Sequence, residues 1–259
     1  LGTFFLREDT HRLGVGCKVA GVFMGALGFC DDLLLLAPTR DAMQLMLDTC
    51  QRFAAKYNLQ FSTDPNPEKS KTKCIFVCGR AKARQKPVNL MLDGKQLPWV
   101  ESAVNLGHIL HQSGNMDKDI RVKRANFIDE SVEVRETFEF ASPVEVLQSV
   151  KLYVGSHYGS MLWDLGCDMA TQYYNAWNTC VKLAWQVPRA TRTYIVDHLL
   201  SCGQSNARMD ILARYAKFVR GLRASPSMEV AVMCGVAQRD IRSVTGSNIA
   251  LVRQETEMD

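Results

Sequence analysis

Two adjacent acidic residues, Asp31 and Asp32, are the strongest candidates for chemistry in this sequence of 259 residues. They stand between two short apolar runs, at 21–27 and 33–37. Neighbouring carboxylates repel each other unless a cation neutralises them, and Mg²⁺ prefers carboxylate and phosphate oxygens as ligands. The pair therefore suits nucleotidyl transfer, in which two metal ions about 4 Å apart hold the attacking and leaving oxygens. The competing interpretation is a solvated hairpin turn, because Asp is common in turns.

The residues around this pair resemble a known family. Phe29-Cys30-Asp31-Asp32 resembles the aromatic-x-Asp-Asp box of reverse transcriptases, which in non-LTR (LINE-type) retrotransposons usually reads Tyr-Ala-Asp-Asp. Similarity to the same family continues along most of the chain, in short motifs. These are 35–39, Tyr57-Asn58-Leu59, Phe61-Ser62, 66–71, Asn105-Leu106-Gly107-His108, Tyr158-Gly159-Ser160 with Trp163, 189–194 and 206–208.

This resemblance implies an RNA-directed DNA polymerase that extends a DNA primer on an RNA template with deoxynucleoside triphosphates. It implies Mg²⁺, or Mn²⁺, as the metal and an acidic pair that is both catalytic and metal-binding. The implied catalytic residues are Asp31, Asp32 and Lys71. Contacts with the nucleotide or the primer are implied for Phe29, Cys30, Lys69, Leu106 and Gly107. The last two belong to an implied primer-grip-like hairpin.

The sequence also departs from the family pattern. Phe29 replaces Tyr and Cys30 replaces Ala, although neither change removes a metal ligand. The family's third catalytic Asp, its nucleotide pocket and its fingers region have no counterpart before residue 14. We therefore expect the chain to be a C-terminal palm and thumb portion that is inactive alone. The alternative is a decayed or domesticated copy that only binds nucleic acid or has no function.

Two rows of basic residues are candidates for phosphate contacts. Lys69, Lys71 and Lys73 share one face if the chain is extended there, although lysines also protect edge strands from aggregation. Lys118, Arg121 and Arg124 recur every three residues on a predicted helix. Such a row can follow a nucleic-acid backbone, or it can be an ordinary solvated helix face. A second helical row has the same two interpretations, and it consists of Arg214, Lys217 and Arg220.

Composition excludes several classes of protein. Hydrophobic residues make up 47% and charged residues 22%, as in ordinary globular domains and unlike disordered or collagen-like chains. The net charge of +4 permits a nucleic-acid partner without requiring one. No run of about 18 apolar residues predicts a membrane span. Nine scattered cysteines without a Cys-x-x-Cys pair predict reduced thiols, and hence an intracellular protein. We expect it in the cytoplasm and nucleus, although the sequence does not determine the compartment.

The hydrophobic pattern predicts an α+β protein in two parts. Residues 1–112 are expected to form a palm-like antiparallel sheet with one helix at 40–57, including strands at 72–77 and 104–110. Turn-forming Asp93-Gly94 predicts a hairpin. A second hairpin is expected from the pairing of 29–35 with residues near 19–27, with the two aspartates at its tip. Residues 115–259 are expected to form an all-helical, thumb-like part. Its helices are predicted after Gly114, after Ser142, around Trp177 and around Tyr215.

Overall fold

The computed structural model describes residues 8–77, 89–192, 194, 195, 198 and 207–256. The chain divides into two compact units, Leu1–Asn115 and Met116–Asp259. The first unit contains short antiparallel hairpins and a long helix, whereas the described part of the second is helical. The predicted α+β class is therefore confirmed.

The first unit consists of paired short strands around the helix α1 (Arg40–Tyr57). Each pair is an antiparallel hairpin, and no pair joins another into a larger sheet in the described ranges. The strands are β1 (Lys18–Val19), β2 (Val22–Phe23), β3 (Ala26–Phe29), β4 (Asp32–Leu35), β5 (Met91–Leu92), β6 (Lys95–Gln96), β7 (Ser102–Asn105) and β8 (His108–His111).

Helix α1 begins and ends where the sequence predicts. The Thr39 hydroxyl accepts a hydrogen bond from the backbone N–H of Ala42 at 3.2 Å, which satisfies one of the unpaired N–H groups at the helix start. Asn58 ends the helix in the left-handed conformation, with φ of 52°. Asn adopts this conformation more readily than most residues, so the stop is local in origin.

Two predicted strands of the first unit are wrong. Residues 104–110 form a hairpin rather than one strand, because Leu106 and Gly107 both take positive φ and reverse the chain. Residues 72–77 form no strand, and only Cys74 makes an isolated bridge, to Trp99. A short apolar run therefore predicts extended chain. It does not predict where the chain turns or which strand it pairs with.

The core of the first unit is divided into small clusters on α1. Cys50 and Phe53 pack against Leu33 and Leu35 of β4. Leu47 packs in a second cluster with three leucines of the β5–β6 region, namely Leu90, Leu92 and Leu97. Residues of the β1–β2, β3–β4 and β5–β6 hairpins thus pack on one helix, and these hairpins do not pair with each other.

The second unit is built from helices with clear start signals. Ser142 caps α3 with a capping box, in which its hydroxyl accepts from the Glu145 backbone and the Glu145 carboxylate accepts from the Ser142 backbone. The helices are α2 (Asp117–Thr137), α3 (Pro143–Ser149), α4 (Asp168–Ala184), α5 (Ala207–Arg223), α6 (Met228–Arg239) and α7 (Val244–Thr256). A π-helical turn, Val150–Val154, follows α3, and a 3₁₀ turn spans Ser160–Leu162.

One continuous apolar core holds these helices together. It includes the inner faces predicted for α4 and α5, where Tyr173, Trp177 and Cys180 meet Ile211 and Tyr215. All five of these side chains are buried. Trp163 is fully buried in the same core. In the described ranges, no helix is long and apolar enough to cross a membrane.

Candidate active site and nucleic-acid interface

The two aspartates lie at the tip of the β3–β4 hairpin. Phe29 pairs with Asp32, so that Cys30 and Asp31 form a two-residue turn. Cys30 takes the left-handed conformation, with φ of 52°, at the first position of this turn. Tight hairpins need positive φ there, and a residue with a Cβ adopts it at some cost in energy. The predicted hairpin with the aspartates at its tip is confirmed, but Phe29 belongs to the first strand, Ala26–Phe29, and not to the second strand as predicted.

The register decides which way the acidic side chains face. Leu33 and Leu35 pack against α1, so Asp32 lies on the opposite face of the hairpin. Directly paired residues share a face, and Phe29 therefore accompanies Asp32 on this uncovered side. Phe29 remains 62% exposed. Asp31 and Asp32 are both exposed, so the turn presents two carboxylates to solvent beside an exposed aromatic ring.

The carboxylates of Asp31 and Asp32 are suitable ligands for a divalent cation, since Mg²⁺ binds carboxylate oxygens. In the described part of the chain, no three His, Cys, Asp or Glu side chains come together as a metal site. Asp31 and Asp32 would thus hold such an ion together with ligands from outside this group, such as phosphate oxygens and water.

The lysines implied as partners of the nucleotide lie in a loop. Lys69 is at the end of a turn in which its backbone N–H donates to the Asn66 carbonyl at 3.1 Å. Lys71 follows in a bend, and both side chains are exposed. Among the residues described, neither lysine forms an ion pair with Asp31 or Asp32. The prediction of one strand face carrying Lys69, Lys71 and Lys73 is wrong, because this segment is not extended as a strand.

The primer-contact candidates Leu106 and Gly107 form the turn between β7 and β8. Both have positive φ, 48° and 74° respectively. Asn105 pairs with His108 across this turn, so it is a two-residue hairpin like the one at the aspartates. Leu106 is 39% exposed, and an aliphatic side chain is therefore displayed at the tip.

The three basic residues of the row on α2 differ in their surroundings. Lys118 and Arg121 are exposed, as expected for phosphate contacts. Arg124 is half-buried, and its Nε donates to the backbone carbonyl of Gln172 in α4 at 3.0 Å. Arg124 therefore ties two helices together, whereas Lys118 and Arg121 are candidates for contact with a nucleic acid because they are exposed.

The motif Tyr158-Gly159-Ser160 with Trp163 lies beside the buried carboxylate of Asp119. Asp119 is 1% exposed and accepts hydrogen bonds from Trp163 Nε1 at 2.9 Å and from Lys123 Nζ at 3.0 Å. The Lys123 ammonium also lies 5.6 Å from the ring centre of Tyr158, a cation–π contact. Gly159 has φ of 80°, a conformation that suits glycine. Within this motif, Trp163 thus bonds the buried Asp119, and the exposed Tyr158 contacts Lys123, the ionic partner of Asp119.

Sequence reasoning missed this role of Asp119. An acidic residue in the first turn of a helix is ordinarily exposed to solvent, where it interacts favourably with the helix dipole. Sequence reasoning also missed Asn248 on α7. The Asn248 amide donates to the Trp163 carbonyl at 2.7 Å, and its oxygen accepts from the Leu165 N–H at 2.9 Å. No local signal marks Asn248, since its partners lie more than eighty residues earlier.

A buried histidine follows the π-helical turn. His157 Nδ1 lies 3.0 Å from the Tyr173 hydroxyl and is within hydrogen-bond distance. Burial, reinforced by the positive charge of Arg214, lowers the pKa of His157 to about 4. Burial also raises the pKa of Tyr173 well above its usual range. Both rings are therefore neutral near pH 7, and they serve as packed, hydrogen-bonded core groups.

The motifs of the helical tail lie partly outside the described residues, because Thr193 and Asn206 are not described. No protein-family model matches the chain, and no curated protein matches it either.

Proposed function

We propose that the chain is the palm-hairpin and thumb region of a reverse transcriptase of a LINE-type retrotransposon. The observation that supports this most is the β3–β4 hairpin, which displays Asp31 and Asp32 at its tip and Phe29 on the same open face as Asp32. The activity would be addition of deoxynucleotides to a primer 3′-hydroxyl on an RNA template. The proposal rests on this geometry together with the motif resemblance.

Each site residue has a distinct role in the proposal. Asp31 and Asp32 hold a divalent cation, which when bound supplies Lewis-acid stabilisation of the attacking and leaving oxygens. Phe29 offers an apolar surface beside the carboxylates, on which a primer sugar can rest. Lys71 and Lys69 have long, flexible side chains, and they supply positive charge to the phosphates of the nucleotide. Cys30 acts through its backbone, because its left-handed conformation sets where the two carboxylates stand.

The helical unit contributes binding energy in this proposal. Lys118 and Arg121 lie exposed on α2, and phosphate contacts by such residues give affinity without sequence preference. The turn at Leu106-Gly107 would contact the primer. Neutralising about five phosphates of a duplex gives a log–log salt slope near −4 to −5.

A second candidate is a nucleic-acid-binding module without catalysis. It is favoured by the acidic site itself, because only Asp31 and Asp32 supply carboxylates there among the described residues. Loss of one metal ligand costs orders of magnitude in rate, since preorganised electrostatics is the main catalytic contribution. Binding through α2 would survive that loss.

Binding of an RNA–DNA hybrid tests the nucleic-acid partner. Fluorescence anisotropy across a salt series should give binding whose affinity falls steeply with salt. Lys118→Gln with Arg121→Gln should reduce the slope by about 2, because two phosphate contacts are lost. The matched control is Arg239→Gln with Arg242→Gln, which removes the same charge from exposed sites at the end of α6 and just after it. Equal losses in both double variants, or no binding at low salt, would contradict the α2 interface.

Primer extension tests whether this chain contains a complete catalytic site. We expect no extension by the 259-residue chain with Mg²⁺ or Mn²⁺ and labelled nucleotides. Robust extension that Asp31→Ala abolishes would show a complete catalytic site, and it would remove the case for a binding module.

A further inference from the structure

A groove between α5 and α7 combines an apolar floor with arginines. It encloses about 100 Å³, and no carboxylate lines it. Three buried side chains form its floor, Val219, Ile249 and Val252. The exposed guanidinium groups come from both walls, Arg220 and Arg223 from α5 and Arg253 from α7.

These arginines are not neutralised by acidic neighbours. In the described part of the chain, none of the three forms an ion pair, and Arg223 donates only to the neutral amide oxygen of Gln238, at 2.9 Å. Two arginines elsewhere in the described part of this unit do form ion pairs, Arg208 with Glu255 at 2.9 Å and Arg242 with Asp240 at 3.1 Å. The groove, in contrast, brings three guanidinium groups together without a carboxylate among its lining residues.

Helix dipoles account for only part of this arrangement. All three arginines lie in the last turns of their helices, where cations are favoured. Each helix end carries about half a negative charge, so two ends offset roughly one of the three positive charges. An uncompensated charge of about +2 remains, and it favours an anionic ligand.

We propose that this groove binds the phosphate groups of a single nucleic-acid strand. Guanidinium forks match phosphate oxygens in geometry, and the apolar floor between them suits the sugar carbons that separate successive phosphates. The proposal rests on the proposed function for the choice of a nucleic acid as the source of phosphate. It adds a strand-binding site on α5 and α7, apart from the row on α2.

The test is anisotropy of a labelled short single-stranded RNA with the full chain. The triple variant Arg220→Gln, Arg223→Gln and Arg253→Gln should weaken binding at least tenfold and lower the salt slope by about 2, as expected for three contacts with a single strand. A matched triple variant removes the same charge outside the groove, at Arg192→Gln, Arg239→Gln and Arg242→Gln. It should bind within about threefold of the parent, because surface charge away from a contact has a small, screened effect.

Three further arms identify the ligand. Arg253→Gln alone should lower the slope by about 0.7, which keeps the test valid if the triple variant does not fold. A strand of the same sequence with an uncharged backbone should not bind. Displacement of RNA by inorganic phosphate, beyond that by chloride at equal ionic strength, would assign the groove to free phosphate and overturn the proposal. Equal losses in the two triple variants would also overturn it.

The outcome is separable from that of the proposed function. If the groove triple variant binds RNA as its matched triple variant does, the groove proposal fails. The proposals of hybrid binding through α2 and of the acidic site are then unaffected. If the groove variants behave as expected while hybrid binding fails, the polymerase assignment fails instead.

Discussion

The two units of the chain are stabilised in different ways. Leu1–Asn115 holds its hairpins on α1 through several small clusters, whereas the helices of Met116–Asp259 share one continuous core. The first unit presents its carboxylates and an aromatic ring to solvent. The second buries Asp119 and satisfies it. The candidate chemistry thus lies on locally determined turns, while the framework depends on contacts between residues far apart in sequence.

The largest expected effect comes from removing the core aromatic of the second unit. Trp163→Ala should lower the free energy of unfolding by about 4 kcal/mol, because it leaves a large cavity and removes a hydrogen bond to Asp119. Phe29→Ala is the control in the first unit, and it should change little because that ring is 62% exposed. Denaturant unfolding followed by helical circular dichroism measures both. Comparable losses would mean that Phe29 is covered and that the contrast between the units is wrong.

Acidification should destabilise the second unit through His157. The pKa of His157 is lowered from 6.5 to about 4 in the folded protein, so between these values only the unfolded chain binds the proton. Stability from this group is complete above pH 6.5 and falls with pH, by up to about 3 kcal/mol at pH 4. The groups facing the ring include Tyr173, Lys151, Asp210 and Arg214.

The measurement is the unfolding free energy of the parent and of His157→Gln at a series of pH values. The difference between the two curves isolates the histidine from the carboxylates that titrate in the same range. It should shrink as pH falls from 6.5 towards 4. Parallel curves would show that His157 titrates normally and is not buried as described.

The same substitution in the two units should have unequal effects. Asp119→Asn should cost about 2 kcal/mol, because the Lys123 ammonium loses a buried ionic partner at 3.0 Å. Asp32→Asn, at an exposed turn beside another carboxylate, should leave the unfolding midpoint unchanged or slightly higher. Asp31→Asn should behave in the same way. A marked loss in either turn variant would mean that these carboxylates have stabilising partners and that the turn is not an open ligand site.

Local signals predicted much of this fold. Thr39 and Asn58 set the ends of α1, and the periodicity of Tyr173 and Trp177 predicted the buried face of α4. These features depend on residues within a few positions of each other. The hydrophobic pattern missed the hairpin at Leu106, which only the family resemblance implied. Leucine rarely adopts positive φ, and no turn former other than Gly107 marks the reversal.

The candidate site was predictable only in part. Adjacent carboxylates at a hairpin tip can be read from the sequence. The register was not predicted, because Phe29 lies in the first strand and pairs with Asp32. The loop position of Lys71 and the tie between Arg124 and Gln172 were not predictable, since both depend on packing. Side-chain periodicity shows which residues share a face, and only tertiary contacts show which of them remain available.

Metal-directed cleavage tests the central claim most directly. Fe²⁺ in place of Mg²⁺, with ascorbate and peroxide, generates hydroxyl radicals that cut nucleic acid near the bound ion. With an end-labelled RNA–DNA template–primer on the full chain, we predict cuts clustered at the primer 3′ end. The Asp31→Asn, Asp32→Asn double variant should lose them while still binding the hybrid. Cuts that are absent, spread evenly along the duplex or unchanged in the double variant would contradict a metal-binding polymerase site at this hairpin.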